Sequence, residues 1–340
     1  MGCLTDLDGV AQAPLGDFVD LVAGQSVTVE VPATSANLGP GFDCFGLALD
    51  WRETVQLDVI EAGYQIEVSG ESADQLPRDE SHLVLRSALV GLASLGVRAP
   101  GLRLRSHNTI PHGRGLGSSS AAIVAGLLAA RDLSGHAPDP RWLLGHADAI
   151  EGHPDNVAAA IYGGFALAYD GADGVTVARG RISSEVALGL CIPESPVGTH
   201  AARGLLPEVV GHGDAAANSG RAALLVHALA DDPDLLLDAT RDWLHQDYRQ
   251  RAMPRSYELM RTLRGEGLAA VISGAGPSVL VLGRSGDLAG WEERRLPGFR
   301  TVATRVGTAA IVSARDTVAA RTAGYVTSTE ESGSLNLPMK

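Results

Sequence analysis

Apolar and polar residues alternate in "SVTVEVPA" (26–33), which predicts a strand. "TVQLDVIEA" (54–62) and "YQIEVSG" (64–70) alternate as well, and together predict a hairpin that turns at Gly63. "HLVLRSALVGLASLG" (82–96) reads as a helix ended by a glycine, and "GLRLRSHNTI" (101–110) as the next strand. "AAIVAGLLAARDL" (121–133) is rich in strong helix formers and apolar nearly all round, so it predicts a buried helix. "PRWLLGHADAIEG" (140–152) is a further helix, with Pro140 in its first turn and Gly152 at its end. "GGFALAYD" (163–170) returns as a strand.

Near 184–190 the pattern restarts with "EVALGLCIP", and strands then alternate with longer helices to about 315. A chain of 340 residues exceeds what one small core usually serves, so two domains are expected. The expected division is an N-terminal extension over 1–25, a first domain over 26–185, a second over 186–315, and a polar tail over 316–340.

Net charge is −13, which argues against broad binding of nucleic acid or an anionic membrane; any anionic ligand needs a local positive site. No apolar run approaches the length of a membrane span. The acidic N-terminus lacks the basic start of a signal peptide, and Asp6 stands where a myristoylation site after "MGC" prefers Ser or Thr. Cys3, Cys44 and Cys191 have no metal-type spacing and suit a reducing compartment, so a cytoplasmic location is expected. Cys44 sits in an apolar run and reads as a small core residue.

Between the strand at 101–110 and the helix at 121–133 lies "PHGRGLGSSSAA" (111–122). Gly113, Gly115 and Gly117 free the backbone to approach a ligand closely. The helix that follows presents unpaired N–H groups and a partial positive charge, which suits an anion. Ser118, Ser119 and Ser120 can cap that helix and can offer hydroxyls to phosphate or a metal. Two familiar phosphate loops do not fit: no Lys follows the glycines, and Ser118 stands where a dinucleotide fingerprint needs Gly. A plain glycine-rich turn with a serine cap remains the alternative on this segment alone. Three further segments look like ligand-lining loops: "PATSANLGPGFDCFGLALD" (32–50), "EGHPDNVAAAIYGGF" (151–165) and "ISGAGPSVLVL" (272–282).

Taken together and in this order, these segments resemble the GHMP family of small-molecule kinases. The family is named for galactokinase, homoserine kinase, mevalonate kinase and phosphomevalonate kinase. "VPATSANLGPGFDCFGLAL", "IPHGRGLGSSSAAIVAG", "EGHPDNVAAAIYGGF", "THAARGLLP" and "ISGAGPSVL" look most like its homoserine branch, and the likeness runs from about residue 27 to 312. The resemblance implies an α+β fold of the GHMP kinase type: an N-terminal domain like ribosomal protein S5 domain 2 and a C-terminal ferredoxin-like domain. It implies transfer of a phosphoryl group from ATP to the side-chain hydroxyl of L-homoserine, in threonine biosynthesis. A small-molecule substrate is therefore expected, no nucleic acid or membrane partner, and room for a homodimer. A kinase of another hydroxy-amino acid, or a weakly catalytic nucleotide-binding regulator, stays open as an alternative.

The resemblance also implies residue roles. ATP would be wrapped by Pro111, His112, Gly113, Arg114, Gly115 and Leu116, then by Gly117, Ser118, Ser119, Ser120 and Ala121. His153, Asp155 and Asn156 would line the acceptor site, with Asn156 holding the reacting groups in line. A zwitterionic substrate needs a carboxylate clamp, for which Arg203 and Arg249 match, and an ammonium partner, for which Asp43 matches. Asn37 and His153 would orient the hydroxyl, and Thr199 would assist. Mg²⁺ would bridge the β- and γ-phosphates. Homoserine-branch members commonly read Glu-x-Glu-Gly-His-Pro-Asp-Asn, but here Ala149 replaces the first Glu. The metal would then fall to ATP with Ser118 or Ser119, and Glu151 beside it.

Overall fold

The computed structural model describes residues 18–198 and 202–316. Its larger sheet has seven strands. At the centre runs a 15-residue strand, Phe45–Val59, long enough to serve two sets of neighbours. Along one edge it pairs with Ser26–Ala36, where Val27 faces Leu57 and Val29 faces Val55. Along the other, its first part pairs with Phe165–Gly171 and its last part with Gly101–Asn108. Valines and leucines in register on one face give the buried side of the sheet.

The hairpin expected around Gly63 does not form. The strand Gly101–Asn108 inserts between its two halves, antiparallel to Phe45–Val59 and parallel to Gly63–Gly70. Side-chain content explains the order. Gly101–Asn108 buries Leu102 and Leu104 completely, and its Arg103 and Arg105 both reach Asp58 on the long strand. Gly63–Gly70 buries Val68 alone, so it suits the sheet edge.

Helices α1 (Leu83–Ser94), α2 (Ser118–Ser134), α3 (Pro140–Glu151) and α4 (Pro154–Tyr162) cover this sheet. As expected from its composition, α2 is buried almost all round. It meets α1 closely at Gly126, where a Cβ would collide with the backbone oxygen of Val84. Asp139 caps α3 by accepting from the Arg141 N–H.

The second sheet has four antiparallel strands in the order Ala269–Ile272, Val279–Arg284, Val186–Pro193, Phe299–Thr304. In chain order this is second, third, first, fourth, the ferredoxin-like arrangement. Helices His212–Ala230 and Pro254–Gly265 form the first crossover; the second is a single 3₁₀ turn, Trp291–Glu293. Two sheets support the two-domain reading, which we propose with two amendments. Strand Ile311–Asp316, expected in the second domain, returns to pair with Ser26–Ala36 in the first sheet. The expected extension also includes a described strand, Val19–Asp20, which pairs with Val97–Arg98. Among the described residues no helix is long and apolar enough to cross a membrane.

Candidate active site

A cleft of about 330 Å³ opens where the glycine-rich loop meets the start of α4 and the turn after Ile272. The loop backbone is left-handed at Gly113, Gly115 and Gly117, as the glycine spacing suggested. Its shape is held from the second domain. Ser273 Oγ donates to the Gly115 carbonyl at 2.5 Å and lies 2.8 Å from Ser35 Oγ, whose hydroxyl can donate to it. The Arg114 guanidinium donates to the backbone carbonyls of Pro193, His112 and Glu194. Arg114 therefore spends its donors on the protein backbone and props the loop.

The serines do not cap α2, contrary to one expectation. Gly117 is the capping residue and makes no side-chain bond. Ser118 Oγ instead lies 2.9 Å from His112 Nδ1. Ser119 and Ser120 both donate to Glu151 Oε1, at 2.7 and 2.9 Å. Ser118 and Glu151, both expected near a metal, are thus not joined; Ser119 is the cleft serine beside the carboxylate. Pro111, Ser120 and Ala121 are buried behind the cleft wall and do not line it.

"HPDN" falls at the join of two helices. Gly152 ends α3 in a left-handed conformation, and His153 precedes Pro154 at the first position of α4. His153 Nδ1 donates to Asp155 Oδ1 at 2.7 Å, which leaves Nε2 toward Glu151 at 3.9 Å. Burial alone would lower the imidazole pKa, but the hydrogen bond and charge of Asp155, with Glu151, raise it overall. Asp155 Oδ1 also accepts from the Asn156 N–H. Asn156 Oδ1 accepts from Thr34 Oγ1 at 2.8 Å, so the strand Ser26–Ala36 and α4 share one hydrogen bond under the loop.

The expected substrate residues gather at the other wall, with changes. Asp43 and Arg203 pair with each other, at 2.9 and 2.6 Å through both guanidinium tips. Arg249 is fully buried; its Nη1 contacts the Gly274 carbonyl at 3.1 Å and His245 Nδ1 at 3.2 Å, and its Nε has no partner. Both arginines lie over the ring of Phe42, at 5.6 and 5.5 Å. Asn37 is committed to the backbone at both ends of its amide: Nδ2 donates to the Gly274 carbonyl and Oδ1 accepts from the Asp43 N–H. It lines the cleft while stitching two loops together, so hydroxyl contact is left to its spare amide hydrogen and lone pair. Thr199 lies outside the described residues.

Several residues at the site lie outside the motifs read from the sequence. His245 is fully buried, donates from Nε2 to the Gly39 carbonyl and fixes Arg249; burial lowers its pKa. It stands four residues before Arg249, one helical turn, which is the signal in retrospect. Glu53 and His82 line the far end of the cleft, both buried without a hydrogen-bond partner for Glu53 Oε2 or either ring nitrogen. Burial pushes Glu53 up to about 8 and His82 down to about 4. Glu53 shares an apolar strand face with Val55 and Leu57, and a carboxylate in that register marks it out.

Comparison with known proteins agrees with the geometry. The GHMP kinases N terminal domain model matches residues 82–164, and the GHMP kinases C terminal model matches 223–293. The chain is 53% identical to the homoserine kinase of Streptomyces coelicolor over 260 residues, 76% of this chain and 84% of that protein. It is 49% identical to the homoserine kinase of Cutibacterium acnes over 268 residues, 77% of this chain and 90% of that one. The crystal structure of homoserine kinase from Cytophaga hutchinsonii superposes with a TM-score of 0.73 at 29% identity, covering 84% of this chain and 97% of that one. The chain therefore belongs to the GHMP kinase family, in its homoserine kinase branch.

Proposed function

We propose that this protein transfers the γ-phosphoryl group of ATP to the side-chain hydroxyl of L-homoserine. The observation that carries this reading is one cleft with two unlike walls. A glycine-rich loop at a helix N-terminus faces a site bearing Arg203, Arg249 and His153, with Asp43 held against Arg203. The first wall suits phosphates and the second a hydroxylated zwitterion.

Phosphoryl transfer has a loose transition state, so positioning and charge stabilisation supply most of the rate. Gly117 and the first turn of α2 would cradle the phosphates, with Ser118 and Ser119 supplying hydroxyls. Arg203 would take the substrate carboxylate and Asp43 its ammonium, which requires their own pair to open. His153 points Nε2 into the cleft while Asp155 holds Nδ1. Asp155 and Glu151 raise its pKa against the opposing effect of burial, and a protonated Nε2 could donate to a phosphate oxygen or the acceptor hydroxyl. Asn156, braced by Thr34, would fix the line between acceptor and phosphate.

The residues present also fit Mg²⁺, although Ala149 supplies no ligand. Among the described residues there is no cluster of three His, Cys, Asp or Glu suited to a metal. A cation that takes most of its ligands from phosphate and water asks for little more than one carboxylate. Glu151, on the cleft wall with the Ser119 hydroxyl against it, would hold the ion. When bound, Mg²⁺ would neutralise charge on the β- and γ-phosphates. Glu151→Gln is expected to raise the Mg²⁺ concentration needed for half-maximal activity several-fold; an unchanged Mg²⁺ titration removes Glu151 from the metal site.

A coupled ADP-release assay over homoserine, threonine, serine and mevalonate tests the function itself. Homoserine should be turned over far faster than the rest. Faster turnover of another hydroxy-amino acid would reassign the substrate, and no turnover with any acceptor would refute the kinase reading.

A further inference from the structure

A line of four side chains runs to the cleft, where Asn108, His112 and Ser118 form part of the wall. Ser106 Oγ donates to Asn108 Oδ1 at 2.7 Å. Asn108 Nδ2 lies 3.0 Å from His112 Nε2, and His112 Nδ1 lies 2.9 Å from Ser118 Oγ. Ser106, Asn108 and Ser118 are buried and His112 is half-buried. Two members, His112 and Ser118, come from the glycine-rich segment, and the other two from the strand Gly101–Asn108 that leads into it.

The line has a direction. Asn108 turns Oδ1 toward the Ser106 hydroxyl, which could serve either end of the amide, and its NH₂ toward the ring. The NH₂ also contacts the Glu71 carbonyl at 3.5 Å, which favours the same orientation. An NH₂ group can only donate, so His112 Nε2 must accept. A neutral imidazole then carries its hydrogen on Nδ1, and that hydrogen goes to Ser118 Oγ. One lone pair of Ser118 is thereby filled, and the hydroxyl hydrogen is left to be given elsewhere. Ser118 lines the cleft at the first turn of α2.

We infer that His112 is a positioning residue for ATP: it fixes the Ser118 hydroxyl as a hydrogen-bond donor to a phosphate oxygen. This rests on the reading of the cleft as the triphosphate site. It also separates the two serines by role. Ser119 sits against the carboxylate of Glu151, whereas Ser118 is reserved for phosphate by the ring behind it.

The test measures ATP KM, homoserine KM, ADP affinity by calorimetry and melting temperature for wild type, His112→Leu, His112→Asn, His112→Asp, Ser118→Ala and the His112→Leu/Ser118→Ala double variant. His112→Leu should raise ATP KM and weaken ADP binding about tenfold, the effect of one hydrogen bond to a charged group. Homoserine KM should not move. Asparagine places an amide NH₂ where Nδ1 stands, so His112→Asn should recover most of the loss. His112→Asp can only accept, so it should recover none. The double variant should bind nucleotide no worse than Ser118→Ala, because the histidine acts through the serine. Losses that add in the double variant, or wild-type nucleotide affinity in His112→Leu, overturn the inference while leaving the phosphate site standing. If Ser118→Ala itself binds nucleotide like wild type, the phosphate contact and the inference fall together. Should His112→Leu melt early, His112→Asn against His112→Asp still decides: equal rescue by both overturns the inference.

Discussion

Gly117→Val is expected to cripple ATP-dependent turnover while leaving most of the secondary structure in place. Gly117 has φ +68°, a conformation that a β-branched residue adopts only under strain. A Cβ at this position would overlap Thr34 Oγ1 and approach Asn156 Oδ1 to 3.2 Å. Thr34 lies fully buried in the strand Ser26–Ala36, so it cannot swing away cheaply. The substitution therefore strikes three things at once: the loop backbone, the Thr34–Asn156 hydrogen bond, and the placement of Asn156, proposed to align the acceptor. Loss of a charge-assisted phosphate contact costs about 1.5–3 kcal/mol, and loss of a neutral hydrogen bond about 1 kcal/mol more. On those figures kcat/KM should fall roughly a hundred- to a thousandfold. The core of α2 lies beyond this point, from Ala121 through Leu133, so circular dichroism should remain close to wild type. Gly117→Ala should lie between the two, since alanine keeps the clash but not the β-branch. Nucleotide titration is the measurement; wild-type ATP affinity in Gly117→Val would refute the assignment of this loop to phosphate.

What could be read from the sequence divides along a physical line. Local chemistry was legible. The glycines at 113, 115 and 117 announced a left-handed loop because few other residues take that backbone, and all three take it. Pro140 and Gly152 bracketed α3 because each fits one helix end. Pairings decided by competition were not legible. Strands 54–62 and 64–70 both alternate, and nothing local says that Gly101–Asn108 outbids them. The deciding fact is that its Leu102, Leu104, Arg103 and Arg105 match the long strand better than the polar Gly63–Gly70 can. The same holds within the site. Motif likeness selected Asp43 and Arg203, 160 residues apart, but their direct bidentate pairing appears only in three dimensions. Thr34 and Ser273 lie within the segments expected to line a ligand, but the role of a buried hydroxyl shows only once its partner is known. Cys44, expected in the core, is half-buried at the loop where the long strand begins.

Arg203→Lys should raise homoserine KM by roughly ten- to a hundredfold and leave ATP KM nearly unchanged, the value of one charge-assisted fork. The geometry makes this variant informative. Arg203 reaches both oxygens of Asp43 through its two terminal nitrogens, so it already displays the forked geometry that a substrate carboxylate would use. A bound zwitterion would replace each partner of that pair by its own opposite charge: carboxylate for Asp43 on the arginine, ammonium for Arg203 on the aspartate. Binding would thus exchange one ion pair for two and strand no charge. Lysine keeps the positive charge and can still meet Asp43 through one contact, so the loop should hold and melting should change little. It cannot form the fork, and the loss should fall on the substrate carboxylate. Arg249 is the poorer test, because its Nη1 also ties His245 to the Gly274 carbonyl and its removal would loosen the Asn37 loop as well. Homoserinol, with a hydroxymethyl group in place of the carboxylate, probes the same contact from the substrate side. Wild type should use it very poorly, and Arg203→Lys should narrow the gap between homoserinol and homoserine. Equal kcat/KM for the two substrates in wild type would rule out the carboxylate clamp, leaving the Asp43–Arg203 pair as a purely structural tie between the two domains.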